Sequence, residues 1–148
     1  MRSPEGWVID ASVAIKWYLR DEDLRRQADS FRSRFSDGDI AAAAPHLSRH
    51  EVASALTVAC SSGRITADQA TTEINAYVRS GVSMDSDPRW LLGNAIEMAI
   101  GLRIAYYDAV YVALAESLRM QFVTADRKLF NATSGRLPFV RWLGDLRL

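Results

Sequence analysis

The chain has 148 residues with 18 acidic and 18 basic side chains, so its formal net charge is zero. Hydrophobic residues make up 49% and charged residues 24%, which is typical of a folded globular protein, and this length predicts a single domain over residues 1–148. Neutrality excludes a global attraction to nucleic acid or to a membrane surface. Binding of a polyanion would therefore need a locally basic face.

The predicted location is the cytoplasm, with no membrane association. The N-terminal segment lacks the apolar core of a signal peptide, and no apolar run is long enough to cross a bilayer. Cys60 is the sole cysteine, which excludes an internal disulfide and favours a reducing compartment. Its apolar neighbours predict a buried, unreactive thiol.

The first half of the chain alternates short apolar runs with helical patterns. The predicted elements are a strand at 7–10, a helix capped by Ser12 that reaches residue 19, a charged helix at 22–35, a strand at 40–44, a helix at 46–61, and a helix at 66–79. Thr66 and Gln69 are spaced as a capping box at the start of the last helix.

The second half repeats this alternation. The predicted elements are a brief strand at 82–84, a helix opened by Asp87 and Pro88 that ends near Gly101, an amphipathic helix at 107–118, a strand at 121–124, a helix at 127–132, and a closing strand or extended segment at 137–143. Short strands separated by helices predict a three-layer α/β/α domain around a mainly parallel sheet. The tryptophans at 7, 17, 90 and 142 fall in apolar segments and are predicted to lie in the core.

Four carboxylates interrupt otherwise apolar sequence. They are Asp10 in VIDAS, Glu51 in RHEVASAL, Asp108 in YYDAVYVAL and Asp126 in FVTADRKLF. A lone charge on a buried surface is costly unless a positive group meets it, and the chain has no matching set of buried cations. Two of these acids follow predicted strands and two lie on apolar helix faces. We therefore expect them to converge beyond the carboxyl ends of the parallel strands and to bind a metal.

Hard cations such as Mg²⁺ and Mn²⁺ prefer carboxylate oxygens. Each acid also has a structural explanation of its own, because the aspartates can cap helices or turns and Glu51 can pair with Arg49. His46 and His50 have the spacing of helical zinc ligands, but HLSRHE is not the HExxH motif, so a satisfied or solvated pair is favoured. The phosphate-binding GxGxxG and Walker patterns and the nucleophilic GxSxG motif are absent.

At these residues the sequence resembles the PIN-domain ribonucleases, and in particular the VapC-type toxins of type II toxin–antitoxin pairs. VIDASVAIKWYL resembles the family's opening strand and helix, and PHLSRHEVASAL resembles the segment that carries the acidic Glu. YYDAVYVALAESL and FVTADRKLF resemble the third and fourth acidic segments. Ser54 departs from the pattern, since many relatives carry an Asn three residues after the Glu. Apart from this position, the four matching blocks follow one another in the family's order along nearly the whole chain.

The resemblance implies a metal-dependent endoribonuclease in which Asp10 and Asp108 are the central ligands of one or two Mg²⁺ or Mn²⁺ ions. Glu51 and Asp126 would complete the site, and Ser12 and Thr124 would hydrogen-bond a ligand or water. The candidates for contacts to the RNA phosphate backbone are Lys16, Arg20, Arg127 and Lys128. The resemblance also implies a homodimer and a cognate antitoxin whose C-terminal segment covers the acidic site.

Two other functions stay open from the sequence. An aspartyl phosphoryl-transfer domain would use Asp10 as a nucleophile, but Ala11 and Ser12 follow it where a second Asp is expected. An acyl phosphate on Asp10 would favour that reaction. A non-catalytic RNA-binding or scaffold module would use the acids only to fold, so Asp10→Asn would change stability and no turnover.

Overall fold

Four short parallel strands form the centre of the computed structural model, which describes residues 2–147. They are β1 (Glu5–Ile9), β2 (Ile40–Ala43), β3 (Gln121–Thr124) and β4 (Val140–Trp142), and they lie in the order β2-β1-β3-β4. Val8 pairs with Ala43 on one side and with Phe122 on the other. The parallel sheet predicted from the sequence is confirmed.

Helices cover both faces of this sheet. They are α1 (Ala11–Ala14), which continues as a 3₁₀ turn at Ile15–Trp17, α2 (Arg25–Ser36), α3 (Leu47–Ser61), α4 (Ala67–Val78), α5 (Leu91–Leu102), α6 (Tyr106–Leu118) and α7 (Arg127–Thr133). Successive side chains of a strand point to opposite faces. Trp7 and Ile9 therefore pack with α1 to α4, whereas Val8 packs with α5 and α6. These two cores confirm the three-layer architecture.

The capping box at the start of α4 is confirmed. The Thr66 hydroxyl accepts a hydrogen bond from the backbone N–H of Gln69 at 3.1 Å, and the backbone N–H of Thr66 donates to the Gln69 side chain at 2.8 Å. Two of the orphan donors at this helix start are thereby satisfied within four residues. Because both hydrogen bonds form within four residues, the sequence alone was sufficient to place the start of this helix.

The first two predicted helices are shorter than expected. Asp10, not Ser12, occupies the cap position of α1, because the Ser12 hydroxyl is bound to the Asp10 carboxylate. α2 begins at Arg25 rather than at residue 22, since Leu24 adopts a left-handed conformation with φ of 53°. Glu22 instead binds Arg64, which is also held by Asp21.

The segment before α5 was predicted wrongly as helical. The Asp87 carboxylate accepts a hydrogen bond from the backbone N–H of His46, which ties this segment to the start of α3, and α5 begins only at Leu91. Trp90 precedes the helix and is 61% exposed, so its predicted place in the core is wrong. The other three tryptophans are buried as predicted.

Three smaller predictions also change. The brief strand at 82–84 is reduced to one bridge between Ala43 and Ser83, and the closing segment contains a strand only at Val140–Trp142. Helix α6 is not amphipathic, because every residue from 109 to 115 is buried between the sheet and α5. The Cys60 side chain is half-buried rather than buried.

Within residues 2–147, no single helix has both the length and the apolar character needed to cross a membrane. Helices α5 and α6 meet those criteria only as a pair, and the pair is bent by 114°.

Candidate active site

Asp10 lies at the carboxyl end of β1 and is only 6% exposed. Its Oδ2 atom accepts hydrogen bonds from the Ser12 hydroxyl at 2.6 Å and from the Thr124 hydroxyl at 2.8 Å. Burial raises the pKa of Asp10 to about 6, against the lowering effect of these two hydroxyls, and the Asp108 and Glu51 carboxylates raise it further. The structure therefore holds an acid in a place where its charge is costly.

Ser12 and Thr124 connect this carboxylate to the loop after β3. The Ser12 hydroxyl accepts a hydrogen bond from the backbone N–H of Ala125, and the Thr124 hydroxyl accepts one from the backbone N–H of Asp126, both at 3.0 Å. Each hydroxyl thus donates to Asp10 and accepts from the loop. The two residues that the resemblance singles out orient Asp10 and hold the ends of β1 and β3 together.

Asp108 and Glu51 approach the same edge of the sheet from helices. Asp108 lies in the first turn of α6 and Glu51 in the second turn of α3, and both side chains are half-buried. Burial raises the pKa of Asp108, and the Asp126 and Glu51 carboxylates raise it further, whereas Lys128 lowers it. Because Asp10 also feels Asp108 and Glu51, the predicted acids share one electrostatic environment.

Asp126 has the structural role that its sequence position suggested. It is exposed, it caps α7, and its Oδ1 atom accepts a hydrogen bond from the backbone N–H of Leu129 at 3.1 Å. The local explanations for Glu51 and Asp108 do not hold among residues 2–147. Arg49 binds the His46 ring and forms no pair with Glu51, and Ala105 rather than Asp108 occupies the cap position of α6.

The negative charge of the four acids is not offset by an ion pair in the described part of the chain. Among residues 2–147, none of the ion pairs includes any of the four acids. Lys16, a candidate for the RNA backbone, is itself buried and pairs with Asp23 at 2.8 Å, so it is not a free phosphate contact. Arg127 lies over the Trp142 ring at 4.0 Å from its centroid, while Arg20 and Lys128 are exposed.

The four acids fit a hard divalent cation by the chemistry of their oxygen atoms. Their side-chain positions do not assemble a complete ligand set, since no three His, Cys, Asp or Glu side chains in the described part of the chain are close enough to hold an ion. The rings of His46 and His50 lie 6.3 Å apart at the start of α3.

Three buried hydroxyl groups near the acids were missed from the sequence. The Ser48 and Tyr77 hydroxyls lie 2.5 Å apart in the core, and the Tyr111 hydroxyl is buried without a hydrogen-bond partner among residues 2–147. A signal was present, since Ser48 precedes Glu51 by three residues and Tyr111 follows Asp108 by three. Residues three apart share a helix face, so these hydroxyls face the same way as the acids.

Comparison with known families assigns the fold. The PIN domain family model matches residues 7–135, which include all four acids, the last three residues of β1, and the whole of β2 and β3, whereas β4 lies beyond them. The chain belongs to the PIN domain family.

Curated PIN-domain relatives resemble the chain over most of its length. It is 29% identical over 133 residues to a VapC ribonuclease of Mycobacterium bovis, an alignment that covers 88% of this chain and 94% of the relative. Ribonuclease VapC9 of Mycobacterium tuberculosis matches with the same identity and coverage.

Solved structures share the PIN fold at lower identity. PAE2754 from Pyrobaculum aerophilum superposes with a TM-score of 0.68 at 23% identity, covering 95% of this chain and 92% of that one. A toxin–antitoxin complex from Klebsiella pneumoniae has a TM-score of 0.63 at 16% identity, with coverages of 90% and 94%. VapBC2 from Rickettsia felis, bound to a DNA fragment from its promoter, has a TM-score of 0.63 at 10% identity, with coverages of 93% and 96%.

Neutralising Asp10 should stabilise this PIN domain in the absence of metal. Burial raises the Asp10 pKa from 3.8 to about 6, so the folded state binds the proton more tightly than the unfolded chain does. Stability therefore falls as the pH rises from about 4 to about 6. Asp10→Asn removes that loss and keeps an oxygen that can accept from Ser12 and Thr124. We expect it to raise the free energy of unfolding by about 1–3 kcal/mol above that window.

Chemical denaturation with a chelator present, at about pH 4 and about pH 7.5, measures this effect. The gain should be confined to the higher pH. Asp37→Asn, at the opposite edge of the sheet and exposed, controls for the loss of a charge as such. An Asp10→Asn protein less stable than the wild type at both pH values would show that Asp10 serves the fold.

Proposed function

We propose that this PIN-domain protein is a divalent-metal-dependent endoribonuclease and the toxin of a toxin–antitoxin pair. The observation that carries the proposal is a buried Asp10 carboxylate without an ion-pair partner in the described residues, lying in the field of Asp108 and Glu51. A cation offsets the cost of that arrangement. The curated relatives named as VapC ribonucleases supply the reaction class.

In this mechanism the protein holds and orients the ligands. Both hydroxyl donors to Asp10 bind its Oδ2 atom, so Oδ1 keeps its lone pairs for another ligand. Asp126 likewise uses only Oδ1 to cap α7. Asp10, Asp108, Glu51 and Asp126 would hold Mg²⁺ or Mn²⁺, which when bound activates water and stabilises charge during phosphodiester hydrolysis. Lys128, which is exposed and close enough to lower the Asp108 pKa, would contact a phosphate of the RNA backbone.

Asp108→Asn should abolish Mg²⁺-dependent RNA cleavage while the fold is kept. The variant removes a charge that faces the proposed metal, and we expect kcat/KM to fall by about 100-fold or more, as for other groups that stabilise charge in a transition state. Cleavage of RNA by purified protein, with added Mg²⁺ or with a chelator, is the measurement, and circular dichroism monitors folding.

Asp37→Asn is the control for that experiment and should cleave RNA like the wild type. Cleavage that resists the chelator, or that survives Asp108→Asn, would refute the proposed mechanism. Folded wild-type protein that cleaves no RNA with Mg²⁺ present would favour a non-catalytic RNA-binding module. An acyl phosphate on Asp10 would instead identify a phosphoryl-transfer enzyme.

We also infer a cognate antitoxin as the protein partner. Two structures with this fold are a toxin–antitoxin complex and a VapBC assembly, which supports a partner of that class. The half-buried Asp108 and Glu51 carboxylates, without an ion pair in the described residues, would accept an arginine side chain from it. Purification from the native host, followed by sequencing of the cleaved RNA, would identify the partner and the substrate together.

A homodimer is the assembly that we propose for the toxin itself. Leu92, Ile96 and Ile100 follow one another at four-residue spacing on the outer face of α5 and are 61%, 52% and 75% exposed. A side chain at neighbouring Gly93 or Gly101 would meet no atom within 4 Å, so another backbone can approach closely there. A two-fold axis would place this apolar stripe against its own copy.

Ile96→Glu should convert the dimer to a folded monomer, because it places a charge at the centre of the α5 stripe. Sedimentation at micromolar concentration should report half the wild-type mass. Val58→Glu is the matched control, since Val58 is also an exposed aliphatic residue but lies on α3, and this variant should stay dimeric. A monomeric wild type, or a dimeric Ile96→Glu protein, would contradict the proposed interface.

A further inference from the structure

The Tyr111 hydroxyl is a buried polar group that the proposed function leaves unexplained. Tyr111 is fully buried on α6, its ring packs against Phe122 with centroids 6.2 Å apart, and its hydroxyl has no hydrogen-bond partner among residues 2–147. An unsatisfied hydroxyl in a core is costly, and a phenylalanine would fill the same space without that cost. The hydroxyl therefore needs a reason to be there.

Its surroundings are those of the acidic site. Burial, followed by the Asp10 and Glu51 carboxylates, raises the pKa of Tyr111 well above its usual value. A tyrosine hydroxyl is protonated at neutral pH, so it is available as a hydrogen-bond donor. The Glu51 carboxylate and the Ser48 hydroxyl are near enough to influence the pKa of Tyr111 as hydrogen-bonding groups, although neither meets hydrogen-bond geometry with it. Ser48 is itself paired with Tyr77 at 2.5 Å.

Glu51 and Asp108 both lack an orienting donor among the described residues, and of these two acids Glu51 is the one close to the Tyr111 hydroxyl. Asp10 receives two hydroxyl donors and Asp126 receives the Leu129 N–H, whereas Glu51 takes part in none of the side-chain hydrogen bonds or ion pairs of the described residues. A long, unrestrained glutamate is a poor ligand until something holds its carboxylate. Outer donors of this kind commonly set ligand orientation in metal sites.

We propose that Tyr111 is a positioning residue, whose hydroxyl donates a hydrogen bond to Glu51 when that carboxylate turns towards a bound divalent cation. Tyr77 would donate to Ser48 and Ser48 to the Tyr111 oxygen, so the three hydroxyls form a relay that ends at the carboxylate. Each hydroxyl then uses its single proton once. This inference rests on the proposed metal-dependent function and adds to it the group that holds Glu51.

Tyr111→Phe tests the relay by metal binding alone. Titration calorimetry with Mn²⁺ should show an affinity about 10-fold or more below that of the wild type, in the range found when an outer donor to a metal ligand is removed. The melting temperature of the metal-free variant should stay the same or rise, because an unpaired buried hydroxyl is lost. At saturating Mn²⁺, we expect kcat for RNA cleavage to fall with KM unchanged.

Tyr18→Phe is the matched control. Tyr18 also carries a buried hydroxyl without a partner in residues 2–147, but the charged groups that act on it are Arg32 and Glu73 rather than the site's acids. Its variant should bind Mn²⁺ like the wild type. Equal losses of Mn²⁺ affinity in the two variants would overturn the inference, and so would wild-type Mn²⁺ affinity in Tyr111→Phe. A Tyr111→Phe protein that melts at a lower temperature but binds Mn²⁺ unchanged would also overturn it.

Ser48→Ala provides a second route should Tyr111→Phe fail to fold. It removes the middle hydroxyl of the relay and should weaken Mn²⁺ binding in the same direction by a smaller factor, and wild-type affinity in this variant would overturn the relay. A wild-type protein that binds no Mn²⁺ would refute the proposed function itself. That outcome is distinct from a wild type that binds Mn²⁺ while Tyr111→Phe binds it equally well.

Discussion

The double hydrogen bond that Ser12 and Thr124 make to one oxygen of Asp10 is the constraint on which the edge of the sheet depends. It joins the end of β1, the first turn of α1 and the loop after β3 at one buried carboxylate. The same two hydroxyls also accept hydrogen bonds from the backbone N–H groups of Ala125 and Asp126. The loop that carries Asp126 is therefore tied to Asp10 through Ser12 and Thr124. The same hydrogen bonds therefore fix the loop after β3 and orient the Asp10 carboxylate.

The acids that the proposed function needs lower the stability of the metal-free fold. Asp10, Asp108 and Glu51 repel one another in a partly dry environment, and nothing positive in the described ion pairs relieves them. A purely structural edge would have placed apolar residues there, whose burial carries no such cost. A divalent cation and the guanidinium of the protein partner proposed above would each offset this same negative field.

Much of the fold and the identity of the candidate acids could be read from the residues alone. Apolar runs such as VIDAS and FVTAD predicted the central strands, and the capping box of Thr66 and Gln69 predicted the start of α4, because these signals act within a few residues. The site acids stood out since each lay in apolar sequence. Helix starts were placed less well where a distant partner competes, as Asp87 does at the backbone of His46.

Local sequence therefore determined the order of strands and helices and the presence of four isolated acids, since propensity and periodicity are short-range properties. Tertiary structure decided which hydroxyls meet Asp10, that Lys16 pairs with Asp23, and that the buried Tyr111 hydroxyl has no hydrogen-bond partner in the described part of the chain. Those contacts join residues that are distant in the chain or lie on different helices. Only the packing of the three layers brings their side chains within reach of one another.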